Sequence, residues 1–293
     1  MDKKLLQNDT LKKIEESIAI AKKKTVFKIT IILVFAVFVI ISFLLSISLG
    51  AYHVPVKDVI KAIFVDTEGL NRSIIWNIRV PRTLVAALVG VCLSLAGGIL
   101  QGVMRNPLAS PNIIGVSSGA GLVATICIVL MPQFENLLTP FAFIGALLTT
   151  TIIYLISWKN GIHPLRMVLA GIAISSLLGA FINLILIFYP DRVHDTLGFT
   201  IGSLSVKNWN DFKMLWPYAL IGFLLSLVVS KRLNILMLGD EIATSLGLDV
   251  ERTRFGLIAV AALLAASAVS IVGLLGFVGL IVPHTVRLVI GSD

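Results

Sequence analysis

The sequence predicts an all-α polytopic membrane protein, a class in which every backbone polar group inside the bilayer is satisfied within a helix. Three observations carry that reading. Apolar stretches long enough to cross a bilayer recur along the chain. The 293 residues are 57% hydrophobic and only 14% charged, with mean hydropathy +0.98, too few polar residues to cover a water-soluble domain of this length. Lys and Arg gather in the segments between the stretches, unevenly from one side to the other, as insertion with a preferred orientation requires.

The elements follow in order. Residues 1–28 form a Lys-rich tail holding eight of the 24 Lys and Arg residues. The charges suit anionic lipid on the cytoplasmic face, and this explains the net charge of +8 without nucleic acid as a partner. Leu11, Ile14 and Ile18 recur at helical spacing among the lysines, so the tail is either an amphipathic surface helix or disordered. A span needs about 20 apolar residues to cross roughly 30 Å of hydrocarbon. Ile29 to Leu49 does so with no ionisable side chain. Its Lys-rich preface is too long, and its apolar run too extended, for a cleaved signal peptide. Further spans are predicted at Leu84–Val103, Ile113–Met131, Phe141–Trp158, Met167–Tyr189, Met214–Val229, Phe255–Val272 and Leu274–Ile290, making eight. The last two are nearly continuous, and Gly273, Gly276 and Gly279 mark the expected break between them. With the N-terminus inside, sixteen Lys and Arg residues fall on the cytoplasmic side and eight outside, which supports that orientation.

Helices in lipid associate through small residues that let backbones approach. Gly90, Ser94, Gly98 and Gly102 recur at steps of four in the second span, with Gln101 beside them. Gly171, Ser175 and Gly179 repeat the device in the fifth span, followed by Asn183. These residues are read as helix-packing seams, a minority of them also lining a translocation path. The spans contain no Asp or Glu. Ion-coupled carriers usually keep a titratable or chelating group at mid-membrane, so the energy for transport is expected from another chain.

Some motifs fail on context. Gly115–Gly119 matches G-x-S-x-G and Gly119–Ala124 matches G-x-G-x-x-A, but both need a strand–turn–helix setting and lie in a predicted membrane helix. No G-x-x-x-x-G-K-[S/T] occurs in the sequence, and the four histidines lack zinc-ligand spacing. Cys92 and Cys127 both fall within spans and make no disulfide framework. No enzymatic activity, catalytic residue, metal site or bound cofactor is therefore assigned to this chain.

Three segments are more informative. The first runs from Arg79-Val80-Pro81-Arg82-Thr83-Leu84 through Gly97-Gly98-Ile99-Leu100-Gln101-Gly102, Arg105-Asn106-Pro107-Leu108-Ala109-Ser110-Pro111 and Gly115-Val116-Ser117-Ser118-Gly119-Ala120. The second is Leu238-Gly239-Asp240-Glu241-Ile242-Ala243-Thr244-Ser245-Leu246-Gly247. The third is Gly276-Phe277-Val278-Gly279-Leu280-Ile281-Val282-Pro283-His284 with Arg287 and Gly291-Ser292-Asp293. In order and spacing these resemble the FecCD-type permeases, the membrane subunits of ABC importers for ferric siderophores, haem and cobalamin.

The resemblance implies a transmembrane permease domain over residues 29–293 in the cell membrane. It also implies ten spans in all, so that a closing pair would follow Gly291-Ser292-Asp293; of truncation there and a missing closing hairpin, truncation is the expectation. Implied partners are ABC ATPase subunits that bind ATP-Mg, an extracellular or periplasmic solute-binding protein, and a second permease chain in a homodimer or heterodimer. Arg79 and Arg82 would dock acidic residues of the binding protein, a role that suits the guanidinium fork. Gly239, Asp240, Glu241, Ala243, Leu246 and Gly247, in the cytoplasmic segment 230–254, would couple to the ATPase. Residue chemistry agrees with a short helix there: Asp240 can cap it, Gly247 can end it in the left-handed region, and Asp249 can start the next. Between Pro190 and Phe212 the resemblance implies a short helix at the outer gate. The rival expectation is an ion-coupled secondary transporter, which the absence of mid-membrane acids opposes.

Overall fold

The computed structural model describes residues 2–50, 54–55, 59, 61, 69–159 and 161–291, without the side chains of 2–21, 24, 70 and 71. His53, Lys57, Ser292, Asp293 and the side chains of Leu11, Ile14 and Ile18 lie outside that description. Among the described residues the regular secondary structure is helical, apart from one isolated β-bridge between Trp158 and Ile162.

Helix α1 (Asp2–Ser48) carries the tail and the first span as one unbroken helix. A short helix (Leu70–Ile74) and a π turn (Ile75–Arg79) lead into α2 (Val80–Met104). A 3₁₀ turn (Pro111–Ile114) precedes α3 (Val116–Thr125), which ends in a second π turn (Ile126–Leu130). Then follow α4 (Leu138–Ser157), α5 (Pro164–Phe188), the short α6 (Val193–Ile201), α7 (Trp209–Met237), the six-residue α8 (Asp240–Ser245), α9 (Val250–Val272) and α10 (Val278–Ile290).

Each of the eight predicted spans coincides with a helix, but their lengths differ. Six are long and apolar enough to cross a membrane, whereas Val116–Leu130 and Val278–Ile290 are shorter apolar helices. The cause is local. Pro111 and Gly115 (φ 75°) break the start of the third span, and Gly273 (φ 79°) and Phe277 (φ 65°) turn the chain before α10. The break expected at the last glycines therefore occurs, and it shortens the final helix. At about 1.5 Å per residue these two helices reach only roughly 20 Å.

Packing sets a centre and an edge. Helix α9 is the core, with 78% of its span buried against α2, α4 and α7, while the α5 span is 6% buried. Ala261, Ala262, Ala265, Ala266 and Ala268 line α9 and are nearly all fully buried, so neighbouring helices can approach it from every side. Glycines give the closest crossings. A Cβ on Gly97 would stand 1.7 Å from the Gly279 carbonyl oxygen, which fixes the α2–α10 contact. Gly119 and Gly145 similarly face each other's carbonyls across the α3–α4 crossing.

Candidate functional site: two charged ends of one bundle

Helix α2 has an arginine at each end. Arg79 lies in the π turn just before it and Arg105 closes it. The Arg79 side chain is turned inward, 9% exposed, and its Nη1 donates to the carbonyls of Ile47 (2.6 Å) and Ser48 (2.9 Å). These carbonyls belong to the last turn of α1, where four lack intrahelical donors and carry partial negative charge. Arg79 thus holds α1 against α2. Of the two arginines expected at the outer mouth, Arg82 is the exposed one.

At the opposite end α7 runs into the 238–249 segment. Gly239 (φ 121°) breaks the helix and α8 follows from Asp240. Asp240 does not cap α8, contrary to the sequence expectation: Gly239 holds the cap position and the helix has no side-chain cap. The Asp240 carboxylate is occupied by arginines instead. Arg254 Nη2 donates to its Oδ1 (2.9 Å) and Oδ2 (3.1 Å), and Arg105 Nη2 donates to Oδ1. Partial burial works to raise the Asp240 pKa, but the Arg254 and Arg105 contacts outweigh it and hold the carboxyl below its usual 3.8.

The other two local expectations hold. Gly247 (φ 80°) follows the last turn of α8, with Gly247 N–H donating to Thr244 O and Leu248 N–H to Ala243 O. This pair of bonds is a Schellman closure. The Asp249 carboxylate accepts from Arg252 N–H and caps α9. On α8 itself Ala243 is fully buried, while Glu241 is exposed and Ile242 and Leu246 are 50% and 61% exposed. The short helix therefore presents two apolar side chains, four residues apart, away from the bundle.

Arg254 is a site residue that sequence reasoning missed, since the sequence shows it only as one more cytoplasmic positive charge on the helix that Asp249 starts. Its side chain is 3% exposed, and its Nη1 donates to Ile162 O at 2.6 Å. Glu251 Oε2 accepts from Ile162 N–H at 3.1 Å and Glu251 Oε1 lies 3.9 Å from Arg254. The only available signal was its position four residues into a helix capped by Asp249, on the face that turns inward.

The small-residue seams divide. Gly102 packs on Leu233, Gly98 on Pro283, Gly171 on the Ile113 carbonyl, and Ser175 Oγ bonds Ser118 Oγ at 3.0 Å. Gln101 is buried; it donates to Leu280 O (3.2 Å) and accepts from Arg287 Nη1 (2.5 Å), tying α2 to α10. Ser94 is half-buried. Gly90 and Gly179 meet nothing within 4 Å, and Asn183 is exposed, so these three do not pack within this chain. Residues 115–119 start a membrane helix, with Ser117 Oγ on Asn112 Oδ1, and form no nucleophile elbow.

The end of the bundle that carries Arg79 holds a cavity of about 1050 Å³ between α6, α7 and the Pro132–Leu137 turn, lined by both signs of charge, including Glu135, Arg192, Asp195 and Lys207. Lys207 Nζ donates to Ile271 O at 2.7 Å at its floor. The short helix expected in the 190–212 stretch is α6, and Gly202 and Gly273 let its end meet the turn after α9: Ser203 N–H donates to Val272 O and Leu274 N–H to Phe199 O.

Comparison with known proteins places this architecture. The FecCD transport family model matches residues 38–293. The Fe(3+)-citrate import system permease protein YfmE of Bacillus subtilis (strain 168) is 38% identical over 265 residues, covering 89% of this chain and 78% of the relative. The hemin transport system permease protein HmuU of Yersinia pestis is 39% identical over 227 residues, covering 75% and 68%. The cobalamin import system permease protein BtuC of Halobacterium salinarum is 40% identical over 221 residues, covering 75% and 60%. Among solved structures, an inward-facing conformation of a transporter assigned to the metal-chelate ABC type superposes with TM-score 0.79 at 28% identity, over 90% of this chain and 82% of that one.

Proposed function

Because the chain belongs to the FecCD transport family, we propose that it is the permease subunit of an ABC importer that carries a ferric siderophore or a similar bulky metal chelate across the cell membrane. The family match over residues 38–293 carries this reading, and relatives named for iron-citrate, haem and cobalamin import support the cargo class. Iron chelate leads among these cargoes; haem and cobalamin are the alternatives within the same mechanism.

In this reading the N-terminus and the 238–254 segment face the cytoplasm. ATP-Mg is bound and hydrolysed on ATPase partners. The exposed Ile242 and Leu246 of α8, held on a short helix that is marginal by itself, suit insertion into an apolar cleft on such a partner. Arg82 serves a solute-binding protein on the other face, with Arg79 keeping the mouth in place from within. The open faces at Gly90, Gly179 and Asn183 suit a second permease chain and a path between the two. Closure of the ATPase pair would then move α8 and rock the bundle between outward- and inward-open states.

The test is uptake of radiolabelled ferric citrate, a ferric hydroxamate, haem and cobalamin in cells lacking the gene and in cells complemented by it. ATP-dependent uptake of one iron chelate, restored by the gene, is expected. Uptake that survives ATP depletion but collapses with the ion gradient overturns the importer reading.

A further inference from the structure

Asp240 gathers three parts of the bundle at one carboxylate. Arg105 reaches it from the end of α2 and Arg254 from the first turns of α9. Through its other nitrogen Arg254 also holds the carbonyl of Ile162, whose N–H is bonded by Glu251. Ile162 lies in the turn between α4 and α5. The cytoplasmic-side ends of α2, α4, α5 and α9 are thus fastened to Asp240, the first residue of α8, by three side chains, those of Arg105, Arg254 and Glu251.

The backbone is arranged for this purpose in two places. Arg105 is one of two non-glycine residues with positive φ among those described (47°), a conformation unfavourable for an L-residue that leaves its side chain at the end of α2, within reach of Asp240. Gly239 (φ 121°) starts α8 at an angle that leaves the Asp240 carboxylate facing Arg105 rather than its own helix N-terminus. Burying the Arg254 guanidinium is also unfavourable unless it is paired and bonded. The positive φ of Arg105 also closes α2, with Arg105 N–H on Gly102 O and Asn106 N–H on Gln101 O; glycine would serve that stop without strain, and the stop does not need the buried Arg254 charge.

We propose that Asp240, Arg105 and Arg254 form a clasp that makes α2 and α9 move with α8, and that Arg105 is the positioning residue linking the coupling helix to α2. This deepens the importer reading and rests on it. Displacement of α8 alone would reach α9 directly through the 246–249 connection. Helix α2 packs on α7 and α9, but Arg105 is 135 residues from Asp240 along the chain, and the Arg105–Asp240 bond is what ties α2 directly to α8. Arg254 and Glu251 extend the same rigid unit to the α4–α5 turn.

The experiment uses the whole importer, with its ATPase and solute-binding subunits, in proteoliposomes. The probe is whichever of ferric citrate, a ferric hydroxamate, haem or cobalamin the wild-type complex takes up. ATP hydrolysis and uptake are measured together for Arg105→Gln, Arg105→Lys, Asp240→Asn and the Arg105→Gln/Asp240→Asn pair. Arg105 is partly exposed (39%), so Arg105→Gln leaves the buried Arg254–Asp240 contact in place. The expected result is near-normal ATP hydrolysis with uptake per ATP reduced about tenfold, the factor corresponding to ~1.4 kcal/mol of coupling free energy. Arg105→Lys should recover most of that loss, and the double variant should be no worse than Asp240→Asn alone. A wild-type uptake-to-ATP ratio for Arg105→Gln overturns the clasp while leaving the importer reading intact, as do losses that simply add in the pair. Absence of ATP-dependent uptake by the wild-type complex overturns both.

Discussion

Replacing Gly97 by Ala tests the tightest crossing of the bundle. The new Cβ would lie 1.7 Å from the Gly279 carbonyl oxygen and 2.5 Å from its carbon, both backbone atoms that cannot rotate away. Ordinary carbon–oxygen contact is about 3.4 Å, so α2 and α10 must separate by roughly 1.7 Å along that line. Such a shift also pulls on the Gln101 bonds to Leu280 and Arg287 one turn further along. Overpacking of this kind costs about 1–3 kcal/mol, against which Ala gains up to about 1 kcal/mol over Gly in helix propensity. Gly90→Ala provides the internal reference: it lies in the same helix, gains the same propensity and meets nothing within 4 Å. The difference between the two variants therefore isolates the crossing, at about 1–3 kcal/mol. Thermal unfolding of the purified protein in detergent, followed by exposure of the buried Cys92 to a thiol dye, reads that difference. Equal midpoints for Gly97→Ala and Gly90→Ala would refute the reasoning, because the crossing could then open without loss.

Further outcomes follow from the two charged ends. Arg79→Ala should destabilise the protein by about 1.5–3 kcal/mol, the range for hydrogen bonds to a charged donor, whereas Arg82→Glu should leave the unfolding midpoint unchanged and weaken capture by the solute-binding protein in a pull-down. Gly247→Val places a β-branched residue at φ 80° and should cost about 1–2 kcal/mol locally, seen as lower uptake per ATP at equal membrane abundance. The Asp240 carboxyl is held below 3.8, so its contribution to stability is fully present above that pH and fades as pH falls through the lower folded value. Unfolding midpoints taken from pH 7 down to 3 should therefore stay level to about pH 4 on this account and then converge with those of Asp240→Asn; convergence already near pH 6 would contradict the arginine contacts.

The positions of the helices were legible because hydropathy reports a property each segment has by itself. Ile29–Leu49 or Phe255–Val272 must cross or be buried whatever surrounds them. The turn chemistry was legible for the same reason: Gly247 and Asp249 act on backbone groups a few residues away, and both do what their types allow. The seams were legible only in part. A stripe at steps of four identifies a helix face but not which neighbour it meets. Gly97, off the Gly90–Gly98–Gly102 stripe, makes the closest approach, while Gly90 faces open space. Asp240 failed as a cap for a related reason. Its local option, the free N–H groups of α8, competed with two guanidinium groups from residues 135 and 14 positions away, and charge-assisted bonds are the stronger kind.

Counting arginines by side orients a membrane protein because each positive charge is costly to translocate, and that count treats all of them alike. The structure separates them by partner. Arg79 neutralises carbonyls at the end of α1, Arg254 is buried between a carboxylate and a carbonyl, and Arg287 reaches into the bundle to Gln101. Each closes a contact between segments far apart in sequence, and Arg79 and Arg254 do so by donating to backbone carbonyls. Arg82 is exposed and keeps its charge at the surface. A bundle with no acidic residue in its spans can thus be pinned at both ends by positive side chains acting on helix termini, leaving its middle free of fixed charges that would hold a charged chelate in passage.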